Sequence, residues 1–425
     1  MNTYQNILKI SEEKIEDNIS ETLEEIGYSK IKPFNNENSQ VIINFDILES
    51  SLKRINSDLE EEYIIQAIKE IKNLNFVKNE IGKYEGNSQV LDLLKSGINI
   101  KIPNINQGRT ITINLIDYKN IENNKFNYCR QLNILDDNLS YFIPDIIIYI
   151  NGLPLSIFEI KTIESNDGMN GAIKQLNNYI SRKHELFWWN IISVVTNAYN
   201  TQIVDLQNNK VFTWRNALEN NSSNNFVFEN NINGLFKKET FLKIIKNYIH
   251  YAKKNSKNTK FIPRYHQFVC CEKCFESLKQ ANENKCGFVW HTQGSGKTIT
   301  MLFLTKQIMQ METSDKYKIV FVTDRNSLDN QLFATFKSAN KFLNLEAKQI
   351  NSRDELIDVL SKDNNPGIIW QLFKNSLKKR MFCLKKRILL LLPMKLIEVI
   401  IILKLMKHMT MENMILFLKK DMHIF

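Results

Sequence analysis

The chain has 425 residues, enough for two or three domains with separate cores. Its 43% hydrophobic and 10% aromatic content excludes wholesale disorder. The excess of 56 Lys and Arg over 46 Asp and Glu leaves a formal charge of +10, which suits a partner with a phosphate backbone, although AT-rich coding also inflates Lys.

Residues 1–13 are polar and acidic, with no apolar signal core. Ile15, Ile19, Leu23 and Ile26 recur at helical spacing over 11–27, and Gly27 is a natural C-cap. A charged helix is predicted near 58–73 and another over 87–96, followed by strand-like alternation through 98–118. Two apolar runs, Ile146–Ile150 and Leu155–Ile160, flank Asn151-Gly152, a strong hairpin signal. A helix at 169–182 and a strand at 190–196 complete a mixed sheet with flanking helices. The Asn-rich stretch 219–233 and the basic run 253–260 read as linkers. Three of six cysteines crowd into Cys270, Cys271 and Cys274 without a second pair at zinc spacing, which reads as helix packing in a reduced, cytoplasmic protein. From 262 the pattern becomes helix, strand, Gly loop, helix, strand, that of an α/β nucleotide-binding domain. The apolar stretch Ile388–Met406 contains Pro393, Lys395, Glu398 and Lys404, each costly in hydrocarbon, so no membrane span is expected.

Three constellations carry chemistry. Pro144-Asp145, thirteen intervening residues, then Glu159-Ile160-Lys161 place two carboxylates and a lysine on adjacent strands, with Glu159 and Lys161 on one face. Two carboxylates can hold Mg2+, and a lysine can orient the attacking water; this is the PD-(D/E)xK nuclease pattern, although the same residues also describe a solvated strand face. Gln175 and Tyr179, four apart, share a helix face. His291-Thr292-Gln293-Gly294-Ser295-Gly296-Lys297-Thr298 lies between a short strand and an apolar helix. There the glycines let backbone amides face phosphate, Lys297 supplies charge and the Thr298 hydroxyl helps hold Mg2+. His291 stands where the strict phosphate-loop spacing has Gly. Arg264-Tyr265-His266-Gln267 upstream and Val322-Thr323-Asp324-Arg325 downstream resemble two motifs of DNA translocases in order and spacing, a resemblance that implies Gln267 as the adenine reader.

In this order the segments resemble the restriction (R) subunit of type I restriction–modification systems over roughly residues 10–369. The resemblance implies a PD-(D/E)xK endonuclease domain at 1–235, a linker at 236–260 and an incomplete first RecA-like lobe of the superfamily-two type at 261–369. It implies metal-binding and catalytic roles for Asp145, Glu159 and Lys161, and accessory roles for Gln175 and Tyr179. ATP contacts fall on Gln267 and on Thr292, Gln293, Gly294, Ser295, Gly296, Lys297 and Thr298, with Thr298 also a ligand of the nucleotide's metal. The implied cofactors are Mg2+ and ATP. The implied partners are double-stranded DNA and the methyltransferase and specificity subunits, the latter carrying DNA site recognition.

One departure stands out. The translocase motif Asp-Glu-Ala-His, which activates the hydrolytic water, is absent, and after Ile369 Lys, Leu and Met crowd together. Moving the frame back by one base lets codons for Trp370–Ser376 spell Met-Ala-Thr-Ile-Gln-Lys-Phe, which resembles the next translocase motif. The same shift lets Met394–Ile401 spell Asp-Glu-Ala-His-Arg-Ser-Asn-Tyr, after a strand Asn-Ile-Ile-Ile-Ile from Ile388–Leu392. The expectation is a frame lost near residue 370, a poorly structured tail at 370–425, and ATP binding without turnover. Alternatives are a non-catalytic fragment that binds DNA or a methyltransferase partner, and a stand-alone helicase with a degenerate nuclease-like domain.

Overall fold

A computed structural model describes the chain except residues 1–9, 35–40, 75–81, 102–109, 137, 164, 166, 216–226, 255–256, 281–285, 293, 312–316, 324–325, 346, 351–354, 356–366, 373–381, 384–386, 395–398, 406–407 and 410–425. Gln293, Asp324 and Arg325 therefore lie outside the described residues. The chain forms two compact units, residues 1–250 with 258–265 and residues 251–257 with 266–425.

The first unit opens with helix α1 (Glu12–Glu25), whose N-terminus is capped by the Ser11 hydroxyl accepting the Lys14 N–H. Ile15, Ile19 and Leu23 are fully buried, and Gly27, at φ 86°, ends the helix as the sequence predicts. Helices α2 (Phe45–Ile55), α3 (Glu61–Lys72) and α4 (Gly82–Ser96) follow. Strand β1 (Ser29–Lys30) belongs to the main sheet, whereas β2 (Ile98–Lys101) and β3 (Thr110–Ile113) pair with each other. The main sheet continues with β4 (Phe126–Arg130); β5 (Ile134–Leu135) and β6 (Tyr141–Phe142) form a small hairpin before β7 (Ile146–Ile150) and β8 (Leu153–Ile160). Helices α5 (Gly168–Arg182) and α6 (His184–Trp189) lead to β9 (Ile192–Thr196), β10 (Thr201–Asp205) and β11 (Lys210–Thr213).

The seven strands lie in the order β1-β4-β7-β8-β9-β10-β11. β7 and β8 are antiparallel, and β8 and β9 are parallel. Every residue of β7 and β8 is buried, because α1, α5 and α6 all pack on β8 and leave no solvent face. Their turn, Asn151-Gly152, has φ values of 53° and 81°, as in a type I′ hairpin. A Cβ on Gly152 would collide with the Asn44 carbonyl at the start of α2. The Asn151 side chain accepts the Lys125 N–H and donates to Leu115 O and to the Asn124 side chain, which fixes the hairpin end without solvent.

Residues 227–233, read as part of an Asn-rich linker, and residues 236–248, expected within a second linker, are packed instead. α7 (Val227–Phe236) and α8 (Lys238–Lys243) bury Phe228, Ile232, Leu235, Phe236 and Phe241, and the Tyr28 hydroxyl donates to Phe236 O at 2.9 Å. The apolar residues recur at helical spacing among the asparagines, so the burial follows a periodicity that the Asn-rich composition hides. After β12 (His250–Lys254), β13 (Lys257–Phe261) carries Lys260. Its ammonium donates to Asn87 Oδ1 and Ile191 O in the first unit, and burial lowers its pKa to about 8.

The second unit contains α9 (Tyr265–Gln280), β14 (Cys286–Trp290), α10 (Lys297–Met309), β15 (Tyr317–Thr323), α11 (Asn326–Ser338), α12 (Asn340–Leu343), β16 (Ala347–Ile350) and β17 (Gly367–Leu372). β18 (Phe382–Cys383) pairs with the last strand, β21 (His408–Met409), while β19 (Arg387–Met394) and β20 (Val399–Leu405) join the main sheet. That sheet has the order β14-β20-β19-β15-β17-β16. β15 is parallel to β17 and β19, and β20 runs antiparallel between β14 and β19. The segment expected to lack structure thus contributes two strands, formed where Ile388–Leu392 and Val399–Ile402 give uninterrupted β-prone runs. Among the described residues no helix is long and apolar enough to cross a membrane.

Candidate functional site

The β7–β8 register pairs Ile146 with Phe158, so one step further Asp145 stands opposite Glu159 at the end of the hairpin. Asp145 Oδ2 accepts the Ile160 N–H at 2.7 Å, which turns this carboxylate toward the second strand. Glu159 is 0% exposed, and neither of its carboxylate oxygens has a hydrogen bond of good geometry, although the Tyr179 hydroxyl and the Asp145 N–H lie near enough to favour its charged form. A buried carboxylate without a well-aligned donor strongly resists ionisation. Burial, and next the negative charge of Asp145, push the Glu159 pKa up to about 9. Burial also raises Asp145, against the opposing effects of the Ile160 N–H and Lys161. The solvated strand face that the sequence allowed is therefore not what forms here.

Lys161 follows β8, and its backbone N–H donates to Thr196 O on β9 at 3.1 Å. Its ammonium donates to Ile160 O at 2.9 Å and lies 3.6 Å from Glu12 on α1. Its positive charge acts on both Asp145 and Glu159, so the three sequence-predicted residues converge. α5 completes the surround: Gln175 Nε2 donates to the Tyr179 hydroxyl at 2.6 Å, and that hydroxyl donates to Ile143 O at 3.1 Å. Gln175 and Tyr179 thus brace the segment leading into Asp145.

Sequence reasoning missed an acidic and basic fringe. Glu16 of α1, 7% exposed, accepts from Arg130 Nε at 2.9 Å, and Asp17 accepts from Arg130 Nη1 at 2.7 Å. Gln131, at φ 51°, donates from its side chain to both oxygens of Glu16 and, at 3.5 Å, to Asp145 Oδ1, while its backbone N–H donates to Asp145 O. The available signal was the i,i+4 pair Glu12 and Glu16, flanking the buried stripe of α1.

Among the described residues no three His, Cys, Asp or Glu side chains gather as a ready metal site, so a hard divalent cation at the hairpin would rest on Asp145 and Glu159 alone. Two adjacent carboxylates offer oxygen ligands, and the Glu159 oxygens lack the well-aligned donors that would otherwise satisfy them.

In the second unit, the phosphate-loop residues lie between β14 and α10. Gly294 and Gly296 adopt φ values of 78° and 86°, which only glycine takes without strain. A Cβ at Gly296 would meet Gln267 Nε2 at 2.6 Å. Gln267 Nε2 donates to Gly296 O at 3.2 Å and lies at the limit of reach, 3.4 Å, from Ser295 O. His266 Nε2 lies 3.1 Å from Ser295 O. Gln267, expected to read adenine, is 4% exposed and has its amide on the loop carbonyls. Lys297 Nζ donates to His291 O at 2.9 Å and Thr292 O at 3.1 Å, folding over its own loop. Burial, then Lys297, lowers the His291 pKa, favouring a neutral imidazole beside the Lys297 ammonium. α10 begins at Lys297, so its first-turn amides, including that of Thr298, face the loop.

Residues 9–212 match the family described as type I restriction enzyme R protein N terminus (HSDR_N), and residues 266–417 match SWI2/SNF2 ATPase. The second match extends beyond residue 369. The chain is 33% identical over 389 residues to the MjaVIIIP type I restriction enzyme endonuclease subunit of Methanocaldococcus jannaschii, covering 85% of this chain and 36% of the relative. It is 28% identical over 336 residues to the HindI type I restriction enzyme endonuclease subunit of Haemophilus influenzae, covering 76% and 31%. The chain spans about a third of the length of these curated relatives. With an R-protein N-terminal region joined to an ATPase-like region in the order its motifs predict, the chain belongs to the type I restriction enzyme R protein family.

Proposed function

We propose that the first unit is a Mg2+-dependent DNA endonuclease domain of the PD-(D/E)xK type, and that the second is part of a RecA-like ATP-binding lobe. The observation that carries the nuclease reading is the Asp145–Glu159 pair, with Glu159 buried and both its oxygens without a well-aligned donor. Asp145 and Glu159 would hold Mg2+ and ionise as it binds. When bound, the ion neutralises charge on the phosphate and acidifies the attacking water. Lys161, released from Ile160 O and Glu12, donates to that water and to the developing negative oxygen. Tyr179, aligned by Gln175, fixes the Ile143–Asp145 backbone, so the carboxylate keeps its place as phosphate enters.

In the second unit, ATP phosphates would take the place of His291 O and Thr292 O as acceptors for Lys297, with Thr298 beside the nucleotide's Mg2+. Thr292, Gly294, Ser295 and Gly296 supply the turn, and Gln267 holds its shape. Hydrolysis needs a further carboxylate near the γ-phosphate. In the sheet register Trp290 pairs with Val399 and Val399 with Met394, so the end of β19 and the end of β14 share one edge. Met394 closes β19, and the sequence Met394-Lys395-Leu396-Ile397 is where a one-base shift would supply Asp-Glu-Ala-His. This placement supports a displaced frame near residue 370 and ATP binding without turnover. Double-stranded DNA is the proposed substrate, and methyltransferase and specificity subunits are the proposed partners, consistent with relatives named as endonuclease subunits.

The test is nicking of supercoiled plasmid by the full chain with Mg2+. Cleavage that needs the metal and disappears in Glu159→Ala supports the reading. Metal-dependent cleavage retained in that variant contradicts it, and no cleavage by the wild-type chain favours a fragment that only binds DNA or its partners.

A further inference from the structure

The hairpin between β5 and β6 carries a strained residue that the carboxylate site does not use. Leu139 sits at φ 59° and is 74% exposed. A branched L-residue avoids this left-handed region, and a leucine held there in water gains no packing in return. The turn is nevertheless firmly held. Asp136 Oδ1 accepts the N–H groups of Asn138 and Ser140 at 2.9 and 2.8 Å, and the Leu139 N–H donates to Asp136 O at 3.1 Å. Arg182 of α5 binds Asp136 Oδ2 through Nε at 2.7 Å, donates from Nη2 to Tyr141 O at 2.9 Å, and lies over the Phe142 ring. Phe142 in turn packs on Tyr179, with ring centroids 4.7 Å apart. The helix that braces Asp145 therefore also braces the tip that displays Leu139.

We propose that Leu139 is an apolar wedge that enters the base stack of substrate DNA close to the cut, with the half-exposed Tyr141 beside it. This deepens the nuclease reading and rests on it. Asp145 lies six chain steps after Leu139, a reach of at most about 20 Å and hence within roughly six base pairs of the bound phosphate. Among the described residues Leu139 is the most exposed large apolar side chain at 74%, and in its own segment only Tyr141 and Ile143, at 44% and 42%, join it; Val41, Ile65, Tyr199 and Val211 are the other exposed ones. Protein docking ordinarily needs about 800 Å² on each side, whereas opening a base step needs one rigid apolar side chain. A leucine on a turn pinned by Asp136 and Arg182 meets the second requirement. Its orientation is set before DNA arrives, so little ordering cost remains.

The experiment uses the full chain with Ca2+ in place of Mg2+, so that no cleavage step enters the readout. Binding is measured to short duplexes carrying 2-aminopurine, either fully matched or with one mismatch. The wild type should brighten the probe and bind the mismatched duplex about tenfold more tightly, because its bases are already partly unstacked. Leu139→Asn keeps a residue that tolerates the left-handed turn, and should lose both effects; Leu139→Met should keep both. Equal brightening and equal preference in wild type and Leu139→Asn would overturn the proposal, as would failure of the wild type to bind DNA. If the wedge effects are present but wild-type chain with Mg2+ cuts nothing, the nuclease reading fails by itself.

Discussion

The carboxylate site and the phosphate loop are built in opposite ways. The loop is one contiguous run, Thr292–Thr298, and its shape comes from two glycines in left-handed conformation and from Gln267 at their back. The carboxylate site is assembled from α1, β7, β8 and α5, and its key property, a buried Glu159 without well-aligned donors, belongs to no local stretch of sequence. A contiguous site survives damage elsewhere in the chain, whereas an assembled site depends on the whole sheet. Under the proposed loss of frame near residue 370, the first unit would stay intact and only the chemistry that the second unit needs from beyond β17 would be lost.

The sharpest way to break this contrast is a crossed pair of variants. Glu159→Gln should lower Mg2+-dependent nicking by about a thousandfold or more while leaving ATP affinity unchanged. Lys297→Ala should weaken ATP binding by about tenfold or more while leaving nicking of supercoiled DNA unchanged. Loss of both activities in either variant would mean that the sites are one machine in this chain. A smaller effect comes from pH. Glu159 has an ordinary pKa of 4.5 that rises to about 9 on folding, so between these values the folded chain holds a proton the unfolded chain has released. The stability this group contributes is complete below about pH 4.5 and is lost as pH rises toward 9. Glu159→Gln, compared with wild type by thermal melting without metal, should gain roughly 5 °C at pH 8 and little at pH 5. A constant difference across that range would show that Glu159 is not held neutral by burial. The smallest effect is expected of Tyr179→Phe, which loses the hydroxyl linking Gln175 to Ile143 O and should slow nicking about tenfold with little change in melting temperature.

Much of this was legible in the sequence because short-range chemistry produced it. Asn151-Gly152 made a hairpin because only such residues take two successive positive φ values easily, and Gly27 ended α1 for a similar reason. Asp145, Glu159 and Lys161 followed from that hairpin's register. Of the fringe only the i,i+4 pair Glu12 and Glu16 left a signal; its partners Arg130 and Gln131 were not legible, because they meet α1 only through long-range packing. The helices from 227 to 243 were hidden by asparagine-rich composition, although their phenylalanines and isoleucines kept helical spacing. Leu139 left no mark in the sequence at all, since neither its exposure nor its φ follows from its neighbours.

The central claim is that the buried pair Asp145 and Glu159 waits for a divalent cation, and calorimetric titration of the full chain with Mg2+ in two buffers of different ionisation heat tests it most directly. Binding should release protons near pH 7.5, because Glu159 must ionise to take the ion, and both the heat and the proton release should vanish in Glu159→Gln. Unchanged Mg2+ binding without proton release in wild type and variant alike would place the cation elsewhere and leave the hairpin without its proposed chemistry.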